Sequence, residues 1–285
     1  MKHKLLFLSP MILSMILSVN LFSLEHQSEK LRILVYNTHG LPEIFSSDNP
    51  KKRFPVIGKK TQEFNISLLQ EDYSHHEELL SGLANNSLAI RGELGGRLTC
   101  PFCTGSGLTS IFNLPKNWTV KVENKTYDTC SGWLRGANDC FAYKGFQIIE
   151  ITLPNNKKFF IVNTHMDAGR GDSDRASRQR QLEHITSTIK PKTTTEALIV
   201  AGDFNLNSNN PKDIKLLENF KNRLGLTDSF TGHKINNKWA ILDYILYKQG
   251  EDVEFNIISV GEDESFVTEE GPLSDHPALI IEVSI

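Results

Sequence analysis

Apolar runs of strand length recur along the chain and are separated by glycine, proline and asparagine. This pattern predicts strands within residues 31–40, 66–72, 107–115, 118–127, 197–206, 239–248, 253–261 and 277–285. A longer run over 146–167 predicts two strands around a Pro-Asn-Asn turn. Helical patterns are fewer, and they cover 53–64, 173–190 with Ser173 as the expected N-cap, and 210–222.

The organisation that follows from these elements is a single domain. No repeat and no linker-like composition divides residues 24–285. Many strands, several helices and one core predict an α/β domain in which two sheets pack together and helices cover the outside.

Polar side chains that can bind a metal or transfer a proton lie where the predicted strands end. The set is Asn37, Glu71, Asn163, His165, Asp203 and Asn205 at strand ends, Asp243 within a predicted strand, and Asp275 and His276 before the last strand. Each has an ordinary structural explanation, such as an Asx-turn, a surface charge or a turn ahead of a strand. The repetition favours a shared active site instead, and a carboxylate within so apolar a run is costly to bury unpaired.

These side chains suit metal-assisted hydrolysis. Oxygen donors such as Glu71 and Asn37 match the preference of Mg²⁺, with Mn²⁺ or another divalent ion as alternatives. The chain has histidines at strand ends but no reactive cysteine or serine motif, so water is the expected nucleophile. A divalent ion, a histidine base and amide donors together favour hydrolysis of a phosphate ester.

The first residues differ from the rest, because Lys2 and Lys4 precede an apolar run from Leu5 to Leu17. Residues 1–23 are predicted to be a signal peptide of a secreted or periplasmic protein, with a membrane anchor as the alternative. Without Lys2 and Lys4 the formal net charge of −3 becomes −5, since residues 1–23 contain no Asp or Glu. This acidic balance provides no general attraction for nucleic acid, although a local basic groove is compatible with it.

The four cysteines, Cys100, Cys103, Cys130 and Cys140, all follow that segment. In an oxidising compartment they are expected to form disulfides, whose pairing the spacing leaves open. A structural zinc site beginning at Cys100 and Cys103 is one alternative, and a redox role for that Cys-x-x-Cys pair is another.

In chain order, the segments "YNTHG", "LLQE", "GLTSIF", "NTHMDA", "AGDFN", "LDYIL" and "SDHPAL" resemble motifs of the endonuclease/exonuclease/phosphatase superfamily. The resemblance runs over nearly all of residues 24–285. It implies a four-layer α/β sandwich with two central mixed β-sheets flanked by helices.

The resemblance also implies roles for the strand-end residues. Glu71 is the implied magnesium ligand with Asn37 beside it, and Asp275 supports the metal or phosphate region. His276 is the implied general base, oriented by Asp243. The remaining implied roles are water positioning and phosphate binding by Asp203 and Asn205, and either transition-state stabilisation or protonation of the leaving oxygen by His165.

Within the superfamily the chain is most like bacterial secreted neutral sphingomyelinases, which are phosphodiesterases of the phospholipase C type. Asp139 and Lys144 resemble a segment near the substrate phosphate in those enzymes, and Arg178 falls at another matching position. The structural alternatives are a surface salt bridge or a turn for Asp139 and Lys144, and a solvated helix face for Arg178. The stretch before the last strand is acidic, with only Phe255 and Phe266 as aromatic residues, which weakens any expectation of membrane insertion.

The leading hypothesis is a secreted, Mg²⁺-dependent sphingomyelin phosphodiesterase, which acts as a monomer and contacts membranes peripherally to reach its phospholipid. A secreted DNase-like endonuclease that cleaves nucleic acid is the enzyme alternative, and it requires a basic groove. The non-enzymatic alternative is a catalytically silent binding protein or toxin subunit. The presence of the full set of site residues argues against it.

Overall fold

The computed structural model describes residues 29–42, 49–96, 104–133, 138–230 and 241–285. The predicted signal peptide, Cys100 and Cys103 lie outside the described residues. No helix within the described ranges is long and apolar enough to cross a lipid bilayer.

Two six-stranded sheets form the centre of the fold. In spatial order the first sheet contains β11 (Asn256–Glu262), β14 (Leu279–Ser284), β1 (Lys30–Asn37), β2 (Ile66–Gln70), β4 (Thr109–Phe112) and β3 (Leu88–Arg91). The second contains β5 (Thr119–Thr126), β6 (Gly145–Thr152), β7 (Lys158–His165), β8 (Ala197–Asp203), β10 (Asp243–Lys248) and β9 (Thr227–Asp228). Both sheets are mixed, because β1 pairs with β2 and β7 with β8 in parallel, whereas the other pairs are antiparallel.

Helices cover the outer face of each sheet. Those on the first sheet are α1 (Pro50–Lys60) and α2 (His76–Ser81), and those on the second are α3 (Asp172–Ile189) and α4 (Pro211–Leu224). A two-stranded hairpin of β12 (Val267–Thr268) and β13 (Gly271–Pro272) precedes the last strand.

Alternation along β1 explains the layering. Leu31, Ile33 and Val35 pack into the cluster between the two sheets, whereas Leu34 and Tyr36 pack with α1 and α2. Since successive side chains of a strand point to opposite faces, a strand that is apolar at nearly every position is buried on both. The predicted four-layer α/β sandwich is confirmed.

A polar layer lies between the sheets just beneath the ends of β2 and β7. Gln70 donates to Asn163 at 2.8 Å, and Ser110 donates to Gln147 at 2.8 Å. All four side chains are buried. Asn163, which was grouped with the candidate site residues, therefore joins the two sheets.

The boundaries differ from the predictions at several elements. Asp243 is the first residue of β10, so it lies at the end of the strand and not in its interior. Gly171, and not Ser173, is the N-cap of α3, because the carboxylate of Asp174 reaches back to accept from the Gly171 N–H at 2.9 Å. The short elements α2, β3, β9, β12 and β13 had no periodic signal long enough to predict them.

Candidate active site

The two parallel strand pairs bring the candidate residues to one edge of the sandwich. Asn37 ends β1 and Glu71 follows the neighbouring β2, while His165 ends β7 opposite Asp203 at the end of β8. The carboxyl ends of parallel strands lie at the same edge of a sheet, so each pair presents its polar residues together. Asp243 starts β10 directly opposite Asp203, because β10 runs antiparallel to β8.

Asn37 joins the two sheets at this edge. Its Nδ2 donates to Glu71 Oε1 at 3.0 Å and to Asp203 Oδ2 at 3.0 Å. Its Oδ1 accepts from the backbone N–H of His39 at 3.0 Å. In this structure Asn37 therefore holds two carboxylates together through its nitrogen, and its oxygen is turned away from them.

The turn after β2 brings Glu71 into this position. Glu71 adopts a left-handed conformation with φ of 57°, and its carbonyl accepts from the backbone N–H of Gly40 at 3.0 Å. A Cβ at Gly40 would lie 2.4 Å from that carbonyl oxygen, so the close approach requires glycine. The φ of 57° at a residue other than glycine marks a conformation that the surrounding contacts must hold.

His165 lies between the carboxylates and a buried lysine. Its Nε2 is 3.7 Å from both Glu71 Oε1 and Asp203 Oδ2, and Lys144 Nζ donates to the same nitrogen at 3.0 Å. Burial, followed by the charges of Lys144 and His276, holds the pKa of His165 well below its ordinary value. His165 is therefore a neutral acceptor near pH 7, and the cation at this position is the Lys144 ammonium.

Lys144 is placed by Asp139, five residues earlier in the chain. Asp139 Oδ1 is 2.7 Å from Lys144 Nζ, which also donates to the carbonyl of Met166 at 2.9 Å. Both charged residues are buried, at 4% and 7% exposure. The structural alternative of a surface salt bridge is therefore wrong, because this pair is inside the protein and beside His165.

His276 forms a pair with Asp243 on the other side of Asp203. Its Nδ1 is 2.7 Å from Asp243 Oδ2, and its Nε2 is 3.9 Å from Asp203 Oδ2. Ser274 holds the preceding turn by donating to the carbonyl of Asn37 at 2.7 Å. The imidazole is thus oriented by one carboxylate and directed toward another.

The electrostatics of the pair favour the imidazolium form of His276. Burial acts to lower the pKa of His276, but the charge and hydrogen bond of Asp243, with Asp203 and Asp275, raise it to about 10. Burial and the charge of Asp243 also raise the pKa of Asp203 to about 6. The site therefore concentrates negative charge that its own lysine and histidines only partly balance.

Asn205 completes a tight turn after β8. It has a φ of 52°, its N–H donates to Asp203 Oδ1 at 2.8 Å, and its Nδ2 donates to the carbonyl of Met166 at 3.1 Å. The hydrogen bond from the Asn205 N–H to the Asp203 side chain makes this an Asx-turn. Its position at the edge of the site means that it also fixes the Asp203 carboxylate.

The donor set fits a divalent metal ion. Glu71, His165 and Asp203 offer ligand atoms within 4.8 Å of one another, as do Asp203, Asp243 and His276. Burial also raises the pKa of Glu71, so two carboxylates held by one amide carry charge that a cation would stabilise. Glu71 and Asp203 are the residues that would hold such an ion.

Asp275 lies further from this centre than the resemblance implies. Its side chain is 58% exposed, and its Oδ1 is 3.3 Å from His39 Nδ1, which is 3.9 Å from Glu71 Oε2. His39 therefore stands between Asp275 and Glu71. Asp275 also accepts from the Ser274 hydroxyl at 3.3 Å, and its charge helps to raise the pKa of His276.

Arg178 does not lie in the site. It is fully buried, and its Nη1 donates to the carbonyls of Asp167, Ala168 and Gly169 at 2.9, 3.0 and 3.0 Å. The predicted substrate contact is replaced by a structural one, because the loop after β7 folds over the guanidinium. The alternative of a solvated helix face is wrong as well.

The structure shows one of the disulfide pairings that the sequence left open. Cys130 and Cys140 form a disulfide, which excludes them as zinc ligands. Cys100 and Cys103 lie outside the described residues, and their pairing stays a prediction.

Three residues at the site were not predicted. His39 has a φ of 50° and contacts both Glu71 and Asp275, and the Tyr73 hydroxyl is 3.5 Å from His165 Nδ1. Arg53 of α1 donates to the carbonyls of Thr38 and His39 and to that of Leu273. The only signal for His39 was its place within "YNTHG", and nothing in the sequence pattern singled out Arg53.

Comparisons with known proteins agree with the geometry. The model of the Endonuclease/Exonuclease/phosphatase family matches residues 34–276. A curated sphingomyelinase from Mycobacterium tuberculosis is 26% identical over 268 residues, which cover 87% of this chain and 51% of the relative. The chain thus spans about half the length of the curated relatives it matches.

Two solved structures share the fold. A mutant of beta toxin from Staphylococcus aureus with bound magnesium ions has a TM-score of 0.65 and 17% identity, over 90% of this chain and 99% of that one. D. rerio TDP2 complexed with a single-strand DNA product has a TM-score of 0.67 and 15% identity, over 90% of this chain and 100% of that one. At this identity the similarity concerns the fold alone.

Proposed function

The chain belongs to the endonuclease/exonuclease/phosphatase family, and we propose that it is a divalent-metal-dependent phosphodiesterase with sphingomyelin as its leading substrate. The observation that carries this proposal is the hydrogen-bonded set of Asn37, Glu71 and Asp203, flanked by His165 and by the His276–Asp243 pair. Water attacks phosphorus, and cleavage of the phospholipase C type releases the phosphorylated headgroup.

His276 is the proposed general base. Asp243 accepts from Nδ1 at 2.7 Å, which leaves Nε2 as the nitrogen that takes the proton of the attacking water. Asp203, 3.9 Å from that nitrogen, lies where it can orient the same water. His276 must be neutral to accept a proton. The carboxylate charges that raise its pKa therefore have to be partly neutralised when the reactive complex forms.

Glu71 and Asp203 are the proposed ligands of Mg²⁺, with Mn²⁺ or another divalent ion as alternatives. When bound, such an ion polarises the phosphoryl oxygens and neutralises the carboxylates that raise the pKa of His276. Lys144 provides a second positive charge, and its Nζ lies 3.0 Å from His165 Nε2. Its three N–H donors go to Asp139, His165 Nε2 and the Met166 carbonyl, so we assign Lys144 the role of stabilising the phosphoryl charge through the field of its own positive charge.

Sphingomyelin is favoured over other phosphodiesters by the M. tuberculosis relative, which is a sphingomyelinase. Export through the predicted signal peptide 1–23 and peripheral contact with a membrane would bring the enzyme to its phospholipid. Nucleic acid is the second candidate, since the structurally similar TDP2 was solved with a DNA product. The formal net charge of −3 gives DNA no general attraction.

A substrate panel tests the proposal. The purified protein is offered sphingomyelin, phosphatidylcholine, plasmid DNA and inositol phosphates, each with Mg²⁺ and with EDTA. We expect EDTA-sensitive release of phosphocholine from sphingomyelin. Nicking of DNA without lipid cleavage would instead identify a nuclease. The absence of metal-dependent hydrolysis with every substrate would favour a silent binding protein.

A further inference from the structure

The disulfide between Cys130 and Cys140 lies next to the residues that place Lys144. It closes a loop whose two ends carry Ser131 and Asp139, and the N–H of Cys140 donates across the closure to the carbonyl of Gly132 at 3.2 Å. We use the term disulfide clamp for Cys130, Ser131, Gly132, Asp139 and Cys140.

One side of the disulfide clamp is fixed to the protein. The N–H of Ser131 donates to Asp167 Oδ2 at 2.6 Å, and its hydroxyl donates to Asp174 in the first turn of α3. Asp167 is fully buried and also accepts from Ser177 at 2.8 Å and from Gln181 at 2.7 Å. The Cys130 side is therefore anchored to α3 through buried hydrogen bonds.

The other side carries Asp139. Its Oδ1 pairs with Lys144 Nζ at 2.7 Å, whereas its buried Oδ2 has no hydrogen-bond partner among the residues that the structure describes. Since Lys144 is the one side chain that holds this carboxylate in the part of the chain that the structure describes, its place depends on its backbone. That backbone is joined to the anchored side by the neighbouring Cys140.

We propose that the disulfide clamp positions Lys144 for phosphodiester hydrolysis, with Asp139 as the link between the disulfide and the ammonium. This inference rests on the proposed function for its catalytic consequence. Within the described residues, the three N–H donors of Lys144 go to Asp139, His165 Nε2 and the Met166 carbonyl. Loss of the clamp lets Asp139 move, and the ammonium then moves away from His165. Cys130 and Cys140 act as positioning residues and do not touch the reacting atoms.

A double-mutant cycle separates positioning from general stabilisation. We expect Cys130→Ala/Cys140→Ala to lower kcat by about tenfold or more, because small displacements of a catalytic group are costly. In a Lys144→Ala background the same pair of changes should lower kcat by less than about twofold, because the group that they position is already absent. If the cysteine changes lower kcat by the same factor with and without Lys144, the disulfide only stabilises the fold and the proposal is overturned.

A control variant accounts for lost stability. Leu224, buried at the end of α4, lies in the cluster between the second sheet and its helices. Leu224→Ala should lower the melting temperature while kcat at the assay temperature stays within about twofold of the unaltered protein. If this variant loses kcat as steeply as the cysteine variant, the effect is not specific to the clamp and the proposal is wrong.

Lysine acylation gives a readout that needs no activity. Lys144 is 7% exposed and ion-paired, so an amine-reactive ester should label it slowly in the unaltered protein, as followed by peptide mass spectrometry. The cysteine variant should label Lys144 at least about fivefold faster, with labelling of the exposed Lys121 unchanged as the internal control. An unchanged Lys144 rate would overturn the proposal even if the protein hydrolyses no phosphodiester, and a faster rate in an inactive protein would contradict only the proposed function.

Discussion

His276 depends on two carboxylates for its proposed chemistry. Asp243 holds its Nδ1, and Asp203 lies 3.9 Å from its Nε2. Neither partner is near it in sequence. The spacing of polar residues at strand ends predicted their convergence, but the contacts depend on how β8 and β10 pair, which only the fold determines.

Replacement of the proposed base tests its role. We expect His276→Ala to lower kcat by at least about 100-fold, since general base catalysis contributes on this order. His184→Ala is the matched control, because His184 packs against the rings of Tyr127 and Phe146 outside the site. Steady-state kinetics of both variants provide the measurement. Near-normal turnover by the His276 variant would show that another group accepts the proton.

The carboxylates predict a pH dependence for metal binding. Burial raises the pKa of Asp203 to about 6 and also raises that of Glu71, so in the cation-free protein both keep their protons to higher pH than usual. A metal ion must displace those protons, and its affinity should therefore rise as pH increases through about 6 and fall below it. Calorimetry with Mg²⁺ in buffers of different ionisation enthalpy measures both affinity and proton release. Affinity that is constant from pH 5 to about 8, without proton release, would contradict this charge assignment.

The sequence predicted the site residues at strand ends but not those on loops and helices. Asn37, Glu71, His165 and Asp203 come together because strand ends converge wherever strands are parallel. His39, Tyr73 and Arg53 lie on loops or a helix, and their contacts depend on backbone turns that no periodicity encodes. Arg178 was placed in the site wrongly, because a sequence does not show which loop will fold over a guanidinium.

The strands β2 and β7 are joined by side chains as well as by apolar packing. Asn163 accepts from Gln70 at 2.8 Å, and Asn163 Nδ2 donates to the carbonyl of Leu69 at 3.3 Å. This polar layer lies directly below the strand ends that carry Glu71 and His165. It holds the two halves of the site in register, since each half belongs to a different sheet.

Removal of that link should destabilise the protein. Asn163→Ala leaves one N–H of the buried Gln70 amide without its acceptor, while the other still donates to the carbonyl of Leu68, and we expect a loss of about 1–3 kcal/mol in the free energy of unfolding. Asn219→Ala on the exposed face of α4 is the control and should change stability by less than about 0.5 kcal/mol. Urea unfolding of the two variants provides the comparison. Equal stability of both would mean that the polar layer contributes little.

Long elements were predicted better than short ones. The runs that form β1, β7 and β8 are apolar over most of their length and could be recognised without a fold. The four-residue β3 and the two-residue strands follow from pairing with a neighbour, so local composition does not specify them. The disulfide between Cys130 and Cys140 was equally open, because cysteine spacing does not determine which pairs approach.

At the scale of the whole molecule, each sheet contributes half of the site. The first sheet supplies Asn37 and Glu71, and the second supplies His165, Asp203 and Asp243. The family motifs quoted from the sequence predicted the sandwich and the convergence of these halves. They did not specify a substrate, because substrate contacts come from loops, and several of those loops lie outside the described residues.

Hydrolysis of sphingomyelin in water enriched in oxygen-18 tests the central claim most directly. Attack by water on phosphorus at the Glu71–Asp203–His276 site predicts phosphocholine that carries one labelled oxygen, formed with Mg²⁺ and abolished by EDTA or by His276→Ala. Mass spectrometry of the two products locates the label. Label in the lipid alcohol, or label in phosphocholine that forms equally well with EDTA, would contradict metal-assisted attack of water on phosphorus at this site.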